Sequence, residues 1–320
     1  MKTRTVLLGL MACAGLMLSL AVQAQGDSRR PFRIIVGFAP GGPIDIGARV
    51  IAPKMEERLK QPVLVENRPG GNAVIAAAAA ANAAPDGMTM FMQSVAVMTP
   101  VMIKDFPLDI LRDMEPVAPV WSFSYYLFIN SGLPARTLPE FVAYAKANPG
   151  KLNYAIGTSS AMLLMEALKA KYGLDIVGVQ YKGSAPAAVA LTANEVQATF
   201  DVAGILKPQV DAGKARVLFN GGRSRGTVFP DVPTAAEIGV PDQQFALTGG
   251  LWTRAGAPRP VVEQVSRVVG EVMALPDVAE RYNTIGWDVS NNGREELLRS
   301  VRSQMDFLSR AAKLANYKPE

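Results

Sequence analysis

Residues 33–45 read Arg-Ile-Ile-Val-Gly-Phe-Ala-Pro-Gly-Gly-Pro-Ile-Asp, and this stretch predicts a buried strand that turns directly into a helix. The apolar, β-branched run at 33–38 is typical of a strand that is covered on both faces. Pro43 suits the first position of a helix, whose periodicity continues to Leu59, and a second apolar run follows at 63–66. This β-α-β order favours a parallel strand pair joined by a right-handed crossover.

The same alternation of short apolar runs and longer helical segments continues along all 320 residues, a length that favours two domains. Repeated βα units predict an α/β fold with a mainly parallel sheet in each of two lobes around a cleft. The pattern switches near Ser122–Ser124 and again near Phe245–Leu247. We therefore expect one lobe to comprise residues 25–123 and 247–320, and the other to comprise residues 124–246.

Composition excludes several classes of function. The chain has 33 Lys and Arg against 28 Asp and Glu, a net charge of +5 without a polybasic block, so nucleic acid and membrane surfaces are disfavoured as partners. It contains no histidine, which excludes Ser-His-Asp catalysis and imidazole metal sites. No carboxylate spacing suggests a metal or an acid-base pair. We expect no catalytic residue, no metal and no cofactor.

The N-terminus has the features of a secretory signal peptide. A short basic segment precedes an apolar stretch, and Val22-Gln-Ala24 supplies the small residues of a cleavage site. The single cysteine, Cys13, lies inside the segment 1–24 that we expect to be removed. The mature chain would then contain no disulfide and would depend on its hydrophobic core, which suits a bacterial periplasm.

Two predicted helix starts could bind an anion. Gly41 and Gly42 permit close approach of backbone N–H groups, and the helix that follows presents unpaired amides with a partial positive charge. A tight turn would explain the same two glycines equally well. The helix entrance at 157–160, Gly-Thr-Ser-Ser, would add hydroxyl groups, although an ordinary Ser/Thr N-cap also explains it. Asp201 ends a predicted strand, where α/β sheets place ligands, but it could also be a turn or cap residue.

A literal match to the G-x-S-x-G nucleophile motif occurs at 222–226, Gly-Arg-Ser-Arg-Gly. The nucleophile reading requires a strand-to-helix turn and a histidine, and neither is found here. The pattern therefore predicts a surface turn without catalytic function.

Several motifs spread along the chain together resemble one family. They are Phe-Ala-Pro-Gly-Gly-Pro-Ile-Asp at 38–45, Val-Glu-Asn-Arg-Pro-Gly at 65–70, Pro-Asp-Gly-Met-Thr at 85–89, Tyr-Lys-Gly-Ser-Ala-Pro at 181–186 and Pro-Asp-Val-Pro-Thr at 230–234. This set is similar to that of the Bug-type extracytoplasmic solute receptors, the substrate-binding proteins of tripartite tricarboxylate transporters. The loop at 157–160 is shorter than the family's usual loop, and Met162 stands where histidine is common.

The resemblance implies a periplasmic binding protein of the Venus flytrap type, a monomer that closes on a small carboxylate and delivers it to membrane permease subunits. It implies no enzymatic activity. The resemblance, transferred to the matching positions of this sequence and combined with the helix entrance at 157–160, implies ligand contacts from both lobes. These are Phe38, Ala39, Gly41, Gly42, Pro43, Asp45 and Ser94 in the first lobe, and Thr158, Ser159, Ser160 and Asp201 in the second.

Two other functions stay open on the sequence. Fold does not determine function, so the same scaffold could serve a periplasmic hydrolase or isomerase. A sensor that signals through a membrane kinase would share the receptor's sequence features. The sequence also leaves the ligand open among dicarboxylates, tricarboxylates, aromatic acids, amino acids and nicotinate-like molecules.

Overall fold

A computed structural model describes residues 30–319, so the predicted signal peptide at 1–24, including Cys13, lies outside the described residues. The strands are β1 (Phe32–Val36), β2 (Val63–Asn67), β3 (Thr89–Gln93), β4 (Met114–Asn130), β5 (Leu152–Ile156), β6 (Ile176–Gln180), β7 (Ala198–Val202), β8 (Ala215–Asn220), β9 (Ala246–Arg254) and β10 (Asp288–Val289). The helices are α1 (Pro43–Leu59), α2 (Val74–Ala81), α3 (Ile110–Asp113), α4 (Leu138–Ala147), α5 (Ser159–Tyr172), α6 (Ser184–Thr192), α7 (Ala203–Asp211), α8 (Arg259–Met273), α9 (Pro276–Thr284) and α10 (Arg294–Leu314).

The two halves of the sheet repeat one strand order. In the first lobe the order is β2-β1-β3-β9-β4, in which β1 runs parallel to β2 and β3 whereas β9 runs antiparallel to β3 and β4. In the second lobe the order is β6-β5-β7-β4-β8, with β5 parallel to β6 and β7 and with β4 antiparallel to β7 and β8. The predicted two-lobed α/β fold is confirmed. Each sheet is mixed, because its parallel strands are completed by antiparallel strands that connect the lobes.

Strand β4 runs through both lobes over 17 residues. Its first part, as far as Ser124, pairs with β9, whereas Tyr125 and the residues after it pair with β7 and β8. After Pro116 and Pro119, the sequence predicts a strand over residues 125–129 only. In the structure both prolines lie where the register with β9 shifts, and such irregular positions tolerate a residue that lacks an N–H.

Helices cover both faces of the first-lobe sheet. On one face α1, α8 and α9 enclose a core that includes an apolar stripe of α8 formed by Val262, Val265, Val269 and Val272. On the other face lie the alanine-rich α2 and the C-terminal helix α10. Small side chains are needed under α2, because a Cβ atom on Gly37 would lie 2.2 Å from that of Ala73.

Helices also cover both faces of the second-lobe sheet. Helices α4 and α5 pack on one face, and α6 and α7 pack on the other. Helix α10 contacts β4 and β9 of the first lobe and also packs against α5 of the second. Within residues 30–319 no helix is both long enough and apolar enough to cross a bilayer.

Close packing between β9 and β4 gives a test of this fold. A Cβ atom on Gly249 would lie 1.9 Å from the ring of Trp121, which is buried and stacked on Trp287 with ring centroids 4.5 Å apart. Because neither ring has room to move, we expect Gly249→Ala to lower the free energy of unfolding by about 1–3 kcal/mol. Urea unfolding followed by circular dichroism would measure this change.

The matched control is Gly270→Ala in α8, where an added Cβ meets no heavy atom within 4 Å. A glycine inside a helix costs roughly 0.5–1 kcal/mol relative to alanine, so this variant should be more stable than the parent. Equal unfolding free energies for the two variants would contradict the packing described around Trp121.

Candidate functional site

The first-lobe site is the loop between β1 and α1, and its backbone is left open. Gly41 has φ of +87°, a left-handed conformation that favours glycine, whereas Gly42 has φ of −74° and ψ of 162°. No side chain caps α1 at Gly42, and Pro43 is the first helical residue. The side chain of Phe38 is 41% exposed on this loop, and Ala39 is also exposed. The amide donors of the first turn of α1 therefore lack a side-chain acceptor and could bind an anion.

Asp45 holds this loop in its conformation through hydrogen bonds. Its carboxylate is 2% exposed and accepts hydrogen bonds from the backbone N–H of Gly41 at 2.9 Å and from Nδ2 of Asn67 at 2.8 Å. Nε of Arg49 donates to both carboxylate oxygens, at 3.0 and 3.1 Å. Since protein donors occupy both oxygens, we interpret Asp45 as the residue that positions the loop.

Sequence reasoning missed Arg49 and Asn67 as functional residues. Nδ2 of Asn67, at the end of β2, also donates to the carbonyl oxygen of Phe38 at 3.0 Å. Nη2 of Arg49 in turn donates to Oδ1 of Asn67 at 3.0 Å. Asn67 lies within the motif at 65–70 that carried the family resemblance, and Arg49 lies four residues after Asp45. Their role becomes visible only when β2 and α1 are brought side by side.

The hydrogen bonds of Asp45 predict how stability depends on pH. Burial alone would raise the pKa of Asp45, but the bonds from Arg49, Gly41 and Asn67 outweigh it and hold the pKa below 3.8. The stabilisation is therefore complete above pH 3.8 and is lost as pH falls through the lowered pKa. We expect Asp45→Asn to lower the free energy of unfolding at pH 7 by about 1–3 kcal/mol and to weaken its decline below pH 4.

Urea unfolding between pH 3 and pH 7 would measure both effects. Asp231→Asn, at an exposed position, is the matched control and should leave the free energy of unfolding at pH 7 close to that of the parent. A parent-like profile for Asp45→Asn would rule out the positioning role of Asp45.

Ser94 follows β3 and offers a hydroxyl without a protein partner. Its side chain is buried, and among the described residues its Oγ has no hydrogen-bond partner. Its backbone N–H donates to Oε1 of Gln93 at 2.9 Å. Because buried hydroxyls are normally paired, Oγ of Ser94 is a candidate partner for a ligand or an ordered water.

The three predicted residues at the start of α5 have different environments. Thr158 is the N-cap, and its Oγ1 accepts a hydrogen bond from the N–H of Ala161 at 3.1 Å. Ser160 is buried. Ser159 is exposed, and its Oγ accepts a hydrogen bond from the hydroxyl of Tyr317 at 3.4 Å. The N-cap interpretation therefore applies to Thr158, while Ser160 points into the lobe.

Tyr125 connects this helix start to the strand that joins the lobes. Burial raises the pKa of the Tyr125 hydroxyl, hydrogen bonds with Thr158 and Ser160 oppose that shift, and the charge of Asp201 adds to it. Tyr125 pairs with Val202 at the position where β4 enters the second lobe. The hydroxyl of Ser184, at the start of α6, lies beside Asp201.

We call this group the second-lobe cluster; it consists of Tyr125, Thr158, Ser160, Ser184 and Asp201. It brings together three residues predicted from the sequence, and it adds Tyr125 and Ser184, which sequence reasoning missed. Ser184 lies in one of the motifs that carried the resemblance, whereas Tyr125 lies in none of them. Within residues 30–319 no group of three or more His, Cys, Asp or Glu side chains could bind a metal ion.

The pKa of Asp201 is shifted in the opposite direction to that of Asp45. Burial raises its pKa above 3.8, and the opposing hydrogen bonds from Ser184 and from the N–H of Val202, the latter at 2.8 Å, do not offset it. Ionisation of Asp201 therefore begins to lower the free energy of unfolding as pH rises above 3.8, and this effect is complete above the raised pKa. We expect Asp201→Asn, which keeps the acceptor for Val202, to be more stable than the parent at pH 7. Urea unfolding would test this, and a decrease in stability would contradict it.

A cavity of about 570 Å³ also lies between the lobes, away from these groups. Polar side chains line it, among them Ser124, Arg223, Asp288 and Gln304. None of the ligand-binding residues predicted from the sequence lines this cavity. The predicted residues lie instead at the ends of β1, β3, β5 and β7 and at the helix starts that follow β1 and β5.

Two lobes that share a crossing strand, with open helix starts after parallel strands, match the architecture of periplasmic binding proteins, as in the solved structure of BugD, which is 26% identical to this chain with a TM-score of 0.66. The model of the tripartite tricarboxylate transporter family receptor, TctC, matches residues 47–314. The chain belongs to this family, and the resemblance to Bug-type receptors is confirmed.

Relatives and solved structures agree with this assignment. BugT of Bordetella pertussis is 31% identical over 87% of this chain and 88% of its own length. A Rhodopseudomonas palustris protein solved with adipate is 27% identical, with a TM-score of 0.70 over 91% of this chain and 99% of that one. MatC from the same organism, solved with bound malate, is 28% identical, with a TM-score of 0.63 over 89% of this chain and 98% of that one.

Proposed function

We propose that this protein is a periplasmic receptor that captures a small carboxylate-bearing molecule between its two lobes. The observation that carries the proposal is the open start of α1, where no side chain caps the first turn of the helix and where Asp45 holds the preceding loop through the N–H of Gly41. Adipate and malate, bound by two structural relatives, are both dicarboxylates. Carboxylates are well matched to a helix start, because its partial positive charge favours anions.

The chemistry of binding follows from the donors at hand. Arg49 is already bound to Asp45 and Asn67, so it is not free to form an ion pair with a ligand through those atoms. We infer that backbone amides of α1 and hydroxyl groups, including those of Ser94 and Ser160, hold the carboxylate. Ordered water can connect it to Asp201, because one water molecule donates to two acceptors.

Closure of the lobes is part of the proposal. We assign residues 25–123 and 247–320 to one lobe and 124–246 to the other. The pairing pattern supports this division, since Ser124 pairs with Ala246 of β9 whereas the next residue pairs in the second-lobe sheet. A ligand held by both lobes binds the closed arrangement more tightly and therefore shifts the equilibrium towards it.

We further propose that the receptor is exported by the signal peptide at 1–24, acts as a monomer in the periplasm and delivers its ligand to the permease subunits of a tripartite tricarboxylate-type transporter. Family membership supports this role. No catalytic step is proposed, because the second-lobe cluster pairs its hydroxyl groups with one carboxyl group and contains no histidine or lysine.

A ligand screen tests the proposal directly. The protein is unfolded, freed of ligand and refolded, and its thermal transition is measured with mono-, di- and tricarboxylates, adipate and malate included. A ligand present at 100 times its Kd should stabilise the protein by about 2.7 kcal/mol. If neutral sugars shift the transition and no carboxylate does, the proposed ligand class is wrong.

Substitutions at Gly42 provide the matched control for that screen. Its φ suits any residue, and an added Cβ would lie 3.5 Å from the carbonyl oxygen of Ala39, an ordinary contact. Gly42→Ala should therefore fold and bind nearly as well as the parent. The branched side chain of Gly42→Val should block approach to the amides and weaken carboxylate binding at least about tenfold in calorimetry, which corresponds to about 1.4 kcal/mol. Equal affinities for both variants would show that the loop is only a turn.

A further inference from the structure

The segment 222–227, which contains the G-x-S-x-G match, is packed closely against β4. A Cβ atom on Gly222 would lie 2.3 Å from Oγ of Ser124, and one on Gly226 would lie 2.0 Å from the hydroxyl of Tyr126. Both glycines of the motif are therefore required by the close approach of this loop to the crossing strand. The sequence predicts a surface turn here, and the structure adds that the turn bridges two parts of the molecule.

The loop is attached to the second lobe. Asn220 at the end of β8 is fully buried; its Nδ2 donates to the carbonyl oxygen of Ser224 at 3.0 Å, and its Oδ1 accepts from the N–H of Gly222 at 2.7 Å. Nε of Arg225 donates to both carboxylate oxygens of Glu237 at 3.1 Å. Because these partners all belong to the second lobe, the loop must move with it.

Two side chains of the loop contact the first lobe. The guanidinium of Arg223 donates to the carboxylate of Glu296 in the first turn of α10. Oγ1 of Thr227 donates to Oδ1 of Asp288 in β10 at 3.2 Å. Asp288 belongs to the first lobe because it pairs with Ser122 of β4, and Glu296 lies on α10, which packs on β4 and β9 and also contacts α5 of the second lobe.

The surroundings allow these two contacts to break. They lie at the cavity of about 570 Å³ between the lobes, whose walls carry hydroxyl and amide groups such as those of Ser124, Asn283 and Gln304. Arg223 has a side chain that is 63% exposed, so its ion pair exchanges with water at a small cost. A rotation of one lobe against the other would separate both contacts together.

We propose that segment 222–227 is a latch that connects the lobes through Arg223–Glu296 and Thr227–Asp288 and sets the balance between this arrangement and a more open one. Its effect on ligand affinity rests on the proposed function, because only a ligand held by both lobes is affected by that balance. Its effect on the ligand-free lobes does not depend on the ligand.

Pulsed electron spin resonance between two spin labels tests the latch. The described residues contain no cysteine, so Glu57→Cys in α1 and Lys146→Cys in α4, both at exposed positions, would place one label on each lobe. In the ligand-free protein Arg223→Gln should shift the ratio of short to long distances towards longer distances by about two- to fivefold, the range expected for one exposed ion pair. Thr227→Val should shift it in the same direction.

Arg225→Gln is the matched control, because Arg225 lies in the same loop but pairs within the second lobe. It should leave the distances unchanged, and the charge exchange Arg223→Glu with Glu296→Arg should restore the parent distribution. The latch is overturned if Arg223→Gln leaves the distances unchanged or if Arg225→Gln shifts them equally. Circular dichroism confirms that each variant is folded.

Titration of the labelled proteins with malate and adipate separates this proposal from the receptor function. Distances that respond to Arg223→Gln but to no carboxylate would support the latch and contradict the proposed ligand. Carboxylate binding with distances unaffected by Arg223→Gln would overturn the latch alone. If both proposals hold, Arg223→Gln should also lower carboxylate affinity by a similar two- to fivefold factor.

Discussion

The backbone of β4 must find hydrogen-bond partners along all of its 17 residues, and this requirement organises the molecule. Its first part is paired by β9 and β10, and its second part by β7 and β8. One continuous strand therefore belongs to both lobes. The partners of β4 change between Ser124 and Tyr125.

Two neighbouring tyrosines of β4, Tyr125 and Tyr126, contact different parts of the molecule. Tyr125 faces the start of α5, and Tyr126 faces the loop at 222–227. Burial together with the charge of Asp288 raises the pKa of Tyr126 to about 12, so its hydroxyl stays protonated at neutral pH. The strand that joins the lobes thus also carries side chains that contact the candidate ligand site and the latch.

The two buried carboxyl groups of the candidate site have opposite effects on stability. Asp45 is surrounded by donors and stabilises the loop that it positions. Asp201 lies in a cluster of hydroxyl groups, where burial disfavours its charge. A buried group that is held at a cost to stability is a common feature of functional sites. Both groups were predicted as ligand contacts, and only their surroundings distinguish their roles.

Much of the local structure could be predicted from the sequence. The helix predicted from Pro43 to Leu59 has those bounds in the structure, and the strand predicted at 33–38 corresponds to β1. The length of β4 could not be predicted, because a proline in a strand is tolerated only where the register with its neighbour shifts. The same applies to Asn67, since a hydrogen bond to Asp45 depends on how β2 lies beside α1.

The sequence by itself determined the βα alternation and the helix start after β1, because these depend on residues only a few positions apart. The family resemblance depended instead on motifs spread from residue 38 to residue 234. The tertiary structure decided which distant side chains meet: Tyr125 with Ser160, Ser184 with Asp201, and Arg223 with Glu296. The physical reason is that hydrophobic periodicity and helix capping act over one or two turns of chain. Burial and hydrogen-bond partners depend instead on packing between segments that are many residues apart, and these contacts decide whether a glycine, a serine or an aspartate has a structural or a functional role.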